Sequence, residues 1–102
     1  MIIVFSGTEE GNILIRQLLK KGLSVFASFS SEVGKESIVD ILPQNKKLKI
    51  NNRKLKLEEM LDLIKKNKIK YIIDATHPFA VEVSKNAIDA SRLSNIRYIR
   101  FE

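Results

Sequence analysis

The stretch KYIIDATHPFAVEVSKN at residues 70–86 constrains the fold more than any other part of the chain. An apolar run at 71–73 predicts a buried strand that ends at Asp74, and a helical pattern follows almost at once. Pro78 suits the first turn of a helix, where its missing N–H loses no hydrogen bond. A residue before proline prefers extended backbone, so His77 is predicted to be the helix N-cap. A strand that runs directly into a helix is typical of an open α/β sheet.

Strand and helix patterns alternate along the rest of the chain. The predicted strands are 1–5, 24–29, 46–51, 70–74 and 96–101. The predicted helices are 10–21, 35–42, 57–64 and 78–93. Parallel neighbours need right-handed helical crossovers, so this alternation predicts a doubly wound, Rossmann-like α/β domain. We expect a parallel five-stranded sheet in the order 3-2-1-4-5, with helices on both faces. The loops at 6–11 and 74–78 then face each other across a crevice at the switch point, where such sheets bind ligands.

Composition excludes several kinds of site. The 102 residues suffice for one domain, and the absence of cysteine excludes disulfides, thiolate metal sites and a cysteine nucleophile. With a single histidine, a zinc site would depend on carboxylates, and we predict no metal. No apolar run approaches the roughly 20 residues of a membrane helix, and the opening MIIVFSGTEEG lacks the features of a signal peptide. A cytoplasmic protein without a membrane partner is expected.

The formal net charge of +6 suits an anionic partner, such as a phosphate or a polycarboxylate. The alternative is that the many lysines only solvate surface faces. Nucleic acid is not the expected partner, because the chain has two tyrosines, no tryptophan and no glycine–aromatic ribonucleoprotein pattern.

The turn SGTEEG at 6–11 matches a dinucleotide-binding turn in part. Gly11 takes the place of the third glycine of G-x-G-x-x-G, while Ser6 and Thr8 stand where the first two are usual. Backbone amides at the start of the next helix can hold a phosphate, and Thr8 can cap that helix. The glutamates at 9 and 10 favour the helix dipole but repel a pyrophosphate on the same turn. The alternative is a capped turn without a ligand.

The loop after the second strand carries serines where an NAD-binding protein usually has an acid for the ribose diol. Ser30, Ser31 and Lys35 offer hydroxyls and an ammonium, which suit a 2′-phosphate better than a diol. Arg53 adds a second cation if the loop after the third strand folds towards the same edge. Glu32 opposes this interpretation, since a small register shift would supply the missing acid. An ordinary loop is the alternative.

The polar residues that follow the fourth predicted strand combine three useful groups. His77 can protonate a carbon or bond a carboxylate, and Asp74 can fix its tautomer or bond a ribose hydroxyl. Thr76 lies beside both at the same edge of the sheet. The structural alternative makes His77 a helix cap and Asp74 a carboxylate that accepts bonds from nearby amides.

The heptamer DATHPFA at 74–80, followed by VSKNA at 83–87 and IRYIRFE at 96–102, resembles the precorrin-6A reductases of cobalamin biosynthesis, called cobalt-precorrin-6A reductases in the anaerobic route. The sequence at 7–11 also matches the G-T-x-E-[AG] pattern of that family. The chain departs from the family at Ser6, where glycine is common, at Val33, where an aromatic residue is usual, and at the two asparagines that precede Arg53.

The resemblance implies an NADPH-dependent reductase that delivers hydride to a tetrapyrrole macrocycle rich in carboxylates. The predicted catalytic residue is His77. The predicted cofactor-binding residues are Gly7, Thr8, Glu10, Ser30, Ser31, Lys35, Arg53, Asp74 and Thr76. Two alternatives remain open: a non-catalytic nucleotide- or phosphate-binding domain of the same fold, and a basic interaction module.

Members of that family continue past the last strand into a second α/β domain. The resemblance therefore implies that residues 1–102 form the amino-terminal domain, which we expect to be inactive alone because half a cleft cannot hold two reactants in attack geometry. The last strand, at 96–101, is expected at a sheet edge, where copies of the chain can associate.

Overall fold

Five parallel strands form a single sheet in the computed structural model, which describes residues 1–30 and 46–102. The strands are β1 (Ile2–Phe5), β2 (Val25–Ser28), β3 (Leu48–Asn51), β4 (Tyr71–Asp74) and β5 (Arg97–Arg100). The described helices are α1 (Glu9–Lys20), α2 (Leu57–Lys66) and α3 (Val81–Ser94). The strands lie in the spatial order β3-β2-β1-β4-β5, and every pair of neighbouring strands is parallel. The predicted fold class and strand order are confirmed, while the predicted helix at 35–42 lies outside the described residues.

Two apolar clusters lie on opposite faces of the sheet, because successive side chains of a strand point to opposite sides. On one face Ile3 belongs to a cluster that includes Met60 of α2 and Ala87 of α3. On the other face Val4 belongs to a cluster that includes Ile15 of α1. Each of these side chains is at most 1% exposed. The prediction of helices on both faces is therefore confirmed.

The third described helix begins later than predicted. Its first residue is Val81 and its N-cap is Ala80, so the prediction that it starts at Pro78 with His77 as N-cap is wrong. The Ala80 N–H donates to the His77 carbonyl at 2.9 Å, which closes a four-residue turn with Pro78 in its second position. A proline whose backbone is preset near φ −65° fits that turn position as well as a first helical turn. The sequence pattern alone does not separate the two.

Helix α1 ends at Lys20, one residue before the predicted end at position 21. Gly22 has a φ of +82°, a conformation that favours glycine, and its N–H donates to the Leu19 carbonyl at 3.0 Å. The Leu23 N–H donates to the Leu18 carbonyl at 3.1 Å, which completes a Schellman motif. The turn that follows leads into β2.

The two outer strands are β3 and β5, as the predicted order requires. Exposed and partly buried residues alternate along strand β5. Tyr98 is partly buried, while Ile99 is 41% exposed. Its outer backbone edge has no strand neighbour in the part of the chain that the structure describes.

Within residues 1–30 and 46–102, no helix combines the length and the apolar character needed to cross a membrane.

We predict that copies of this chain associate through the outer edge of β5. The unpaired N–H and C=O groups of an edge strand offer a template for a second strand, and the exposed Ile99 adds apolar contact. Sedimentation over a wide concentration range should show an association that Ile99→Lys weakens. Strictly monomeric behaviour of the unsubstituted chain over that range would contradict the prediction.

Candidate functional site

One crevice opens at the carboxyl edge of the sheet, at the predicted switch point between β1 and β4. Its cavity has a volume of about 140 Å³ and receives residues from the loops that follow β1, β2, β3 and β4. The predicted site residues that line it are Gly7, Ser30, Arg53, Thr76 and His77. The fold therefore brings side chains from four separate loops into one place.

Of the remaining predicted site residues that the structure describes, Thr8 and Glu10 lie beside this crevice and Asp74 lies beneath it. Thr8 and Glu10 line an adjoining cavity of about 280 Å³, which shares Thr76 and His77 with the crevice. Ser31 and Lys35 lie outside the described residues.

The glycine turn after β1 is open on one side and tightly packed on the other. Gly7 has a φ of +136°, and a Cβ placed on it would meet nothing within 4 Å. A Cβ on Gly11 would collide with the Ser6 Oγ and lie 3.1 Å from the Ala75 Cβ. Gly11 thus serves the close helix–strand packing that the third glycine of a dinucleotide turn provides, while the space above Gly7 stays open. Ser6 is buried, and its hydroxyl donates to the Asn12 Oδ1 at 2.9 Å.

The Thr8 hydroxyl joins the two loops that face the crevice. It accepts from the Gly11 N–H at 3.1 Å, which caps α1 as predicted. It donates to the Ala75 carbonyl at 2.7 Å, in the loop after β4. The spacing between the glycine turn and the DATHPFA turn is therefore set by a direct hydrogen bond.

Asp74 lies beneath the crevice and has no exposed surface. Its Oδ1 accepts from the Thr76 N–H at 3.1 Å, from the Thr76 hydroxyl at 2.6 Å and from the Arg100 Nη1 at 3.0 Å. Its Oδ2 accepts from the Ser84 hydroxyl and from the Tyr98 hydroxyl, both at 2.6 Å. The carboxylate is thus surrounded by donors from β4's own loop, α3 and β5, and these donors take the place that a ligand hydroxyl would need.

This environment keeps the Asp74 carboxylate ionised. Burial by itself raises the pKa of Asp74, but hydrogen bonds from Ser84, Thr76 and Tyr98 outweigh it and hold the pKa below its usual range. The same contact acts in the opposite direction on the phenol: burial and then the bond to Asp74 raise the pKa of Tyr98 to about 12.

His77 is exposed at the crevice, and its ring is held by the turn that follows. The Phe79 N–H donates to the His77 Nδ1 at 3.3 Å, and the two ring centroids are 4.9 Å apart. Since Nδ1 accepts this bond, a neutral imidazole carries its proton on Nε2. Phe79 itself is 87% exposed beside it.

Arg53 reaches the crevice from the loop after β3, on the same side as Ser30. Its Nη2 lies 2.6 Å from the Glu59 Oε2, and Glu59 also accepts from the Lys56 N–H at 2.9 Å. Asn51 donates to the Arg53 carbonyl at 2.6 Å and fixes that loop. The loop therefore folds towards the edge that carries Ser30, as the prediction for Arg53 requires.

Comparison with known proteins identifies the family. The sequence profile described as "Precorrin-6x reductase CbiJ/CobK" matches residues 1–102, the whole chain. The chain belongs to the precorrin-6x reductase family. No group of three or more His, Cys, Asp or Glu side chains suited to a metal ion occurs in this family member within residues 1–30 and 46–102.

Two curated relatives of the precorrin-6x reductase family show the extent of the similarity. The cobalt-precorrin-6A reductase of Priestia megaterium is 36% identical over 102 residues, which cover 100% of this chain and 38% of the relative. That of Methanocaldococcus jannaschii is 46% identical over 54 residues, which cover 53% of this chain and 22% of the relative. The chain thus spans well under half the length of these curated relatives.

Solved structures of this family and beyond share the fold. A structure of CobK precorrin-6A reductase superposes with a TM-score of 0.80 at 25% identity and covers 99% of this chain and 38% of its own. The yeast methylglyoxal/isovaleraldehyde reductase Gre2, solved in complex with NADPH, superposes with a TM-score of 0.67 at 18% identity over 91% of this chain and 33% of its own. The second likeness shows the fold alone.

Three residues that donate to Asp74 are not among the site residues predicted from the sequence. Ser84, Tyr98 and Arg100 donate to Asp74, although only a strand edge was predicted for the last two. The signal was present in the predicted topology, because neighbouring parallel strands place Asp74 directly opposite Arg100. Ser84 lies in the VSKNA segment that resembles the family, but its distance from Asp74 depends on where α3 begins, which the sequence does not predict correctly.

The Tyr98 phenol should stay protonated far into the alkaline range. The chain has two tyrosines, so Tyr71→Phe leaves Tyr98 alone for an absorbance titration of tyrosinate. We expect a midpoint of about 12 in the folded protein and near 10 after denaturation. Because the folded value is the higher one, Tyr98 contributes stability below pH 10 that is lost as the pH rises through 12. Circular dichroism at each pH confirms that the chain is folded, and a folded midpoint near 10 would contradict the expectation.

Proposed function

We propose that this chain is the dinucleotide-binding, amino-terminal domain of an NADPH-dependent reductase that reduces the macrocycle of precorrin-6A or cobalt-precorrin-6A in cobalamin biosynthesis. The observation that carries the proposal is the open turn at Gly7, which faces the DATHPFA turn across one crevice in a member of this family. Its relatives are named for that reaction, and their greater length leaves room for a second domain.

The crevice residues fit a dinucleotide. The open space above Gly7 allows a pyrophosphate to approach the backbone, and Gly11 lets α1 pack closely behind it. Thr8 caps the helix whose amino terminus borders this space. Glu10 lies exposed in the first turn of α1, so we propose that it faces a sugar hydroxyl and not the pyrophosphate. When bound, NADPH supplies the hydride, and the protein supplies its orientation.

The polar and cationic residues of the same crevice suit the 2′-phosphate. Ser30 and Arg53 line the crevice. We propose that they bind the 2′-phosphate together with Ser31 and Lys35, which lie outside the described residues. Glu59 holds the Arg53 guanidinium in place, and a planar guanidinium keeps further N–H groups for a phosphate.

Thr76 and Asp74 contribute to this proposal in a less direct way than the other residues. Thr76 lines the crevice, but its hydroxyl donates to Asp74. We therefore propose that Thr76 shapes the crevice wall and does not donate its hydroxyl hydrogen to the cofactor. Asp74 belongs to the layer beneath. His77 is the exposed titratable group of the turn, and we propose that its imidazole meets the reacting ligands and exchanges a hydrogen bond or a proton with them.

Cofactor choice is the first test of the proposal. We expect the full-length reductase to prefer NADPH over NADH tens-fold or more, about 2 kcal/mol, because charge-assisted bonds to a 2′-phosphate are stronger than neutral ones. Calorimetric dissociation constants should show that Arg53→Ala and Lys35→Ala reduce the preference, and added salt should do the same. Lys20→Ala, an exposed cation at the far end of α1, is the matched control. Equal affinity for both cofactors would contradict the assignment.

The His77 imidazole separates the proposed reductase from a non-catalytic nucleotide-binding domain of the same fold. One observation favours that second candidate. Asp74 and Thr76, the other polar residues of the turn, form hydrogen bonds with each other and do not direct those groups into the crevice. In the full-length protein we expect His77→Ala to reduce turnover by about a hundredfold while NADPH affinity and melting temperature change little. Retained turnover with a melting temperature lower by several degrees would show that His77 has a structural role alone.

A further inference from the structure

We infer that Asp74 and Arg100 are positioning residues of the reductase: their partly buried ion pair fixes the peptide that joins Thr76 to His77, and so sets the position of His77 in the crevice. The inference rests on the proposed function only in the role it gives to His77. The contacts that support it come from three elements packed around one turn.

Thr76 is fixed by hydrogen bonds at each of its polar groups. Its N–H and its hydroxyl both donate to the Asp74 Oδ1, at 3.1 and 2.6 Å. Its carbonyl accepts from the Arg100 Nη2 at 2.8 Å, and its hydroxyl also accepts from the Arg100 Nη1 at 3.2 Å. Because the Thr76 carbonyl and the His77 N–H belong to one planar peptide, holding that carbonyl fixes the direction in which His77 leaves the turn.

The base of this arrangement is rigid. The second Asp74 oxygen is held by Ser84 of α3 and Tyr98 of β5, each at 2.6 Å. Asp74 therefore cannot rotate without giving up bonds to two elements of the fold. No buried side-chain nitrogen or oxygen within residues 1–30 and 46–102 lacks a hydrogen-bond partner, so this network has no loose end there.

Arg100 is suited to holding the turn and not to binding a ligand. Its side chain is 27% exposed, and its Nε donates to the Glu102 Oε1 at 3.3 Å. With Nη1 on Asp74 and Nη2 on the Thr76 carbonyl, each nitrogen of the guanidinium donates within the protein. Only a planar fork reaches a carboxylate and a carbonyl at once, so a lysine ammonium at this position would keep the charge and lose the geometry.

His77 is the single histidine of the chain, so the Cε1–H proton of its imidazole gives one assigned signal that reports its surroundings without any ligand. We would record this signal by NMR at fixed pH for the unsubstituted chain, Arg100→Lys and the isosteric Thr76→Val. Thr76→Ser keeps the hydroxyl, and Arg97→Gln changes an exposed arginine of the same strand. Melting temperatures are measured in parallel.

We expect Arg100→Lys and Thr76→Val to shift and broaden the His77 signal in chains that remain folded, and Thr76→Ser and Arg97→Gln to leave it in place. An unchanged His77 signal in a folded Arg100→Lys chain with a lowered melting temperature would overturn the inference, since the ion pair would then serve stability alone. If Arg100→Lys does not fold, Thr76→Val decides by the same criterion, because it removes only the bonds of one hydroxyl.

In the full-length reductase, Arg100→Lys should lower kcat by about tenfold or more while the dissociation constant of NADPH changes less than twofold, since misplacement of a reacting group by about 1 Å is sufficient for such a loss. Equal losses in kcat and NADPH affinity would contradict a role through His77. If the full-length protein shows no reductase activity, the proposed function fails, and the NMR comparison still decides the inference.

Discussion

A carboxylate without exposed surface is costly to bury, and the site of this protein is built on one. Asp74 remains ionised because five donors surround it, and they come from the turn that follows it, from α3 and from β5. A buried ion pair adds little net stability by comparison with apolar packing, but it defines one arrangement sharply, because any other leaves a charge without a partner. The conformation of the turn that carries Thr76 and His77 is therefore fixed by the same contacts.

The second constraint is the pairing of β1 with β4, which places the glycine turn beside the DATHPFA turn. Backbone pairing alone fixes where the strands end and leaves their loops free. The Thr8 hydroxyl removes that freedom, because it caps α1 and donates to the Ala75 carbonyl across the gap. The separation of the two loops is therefore held by a hydrogen bond within the domain.

The sequence predicts the architecture well because hydrophobic patterns report which segments are buried, and right-handed crossovers leave few strand orders open to an alternating chain. It predicts Pro78 wrongly because one preset φ serves both a turn and a first helical position. The role of Asp74 is more difficult to predict from the sequence. A carboxylate at a strand end gives the same sequence pattern whether its hydrogen-bond donors come from a ligand or from the protein. Only the packing of α3 and β5 shows that Ser84, Tyr98 and Arg100 fill those places.

The tight packing at Gly11 couples two positions that lie on different elements. The Ser6 Oγ occupies the volume that a Cβ on residue 11 would need, and the Ala75 Cβ closes the other side at 3.1 Å. The two positions share one small volume, which can hold a hydroxyl from the strand side or a methyl from the helix side. In this chain an alanine at position 11 therefore needs the side chain of Ser6 to be removed, so we expect the two positions to accept substitution only together.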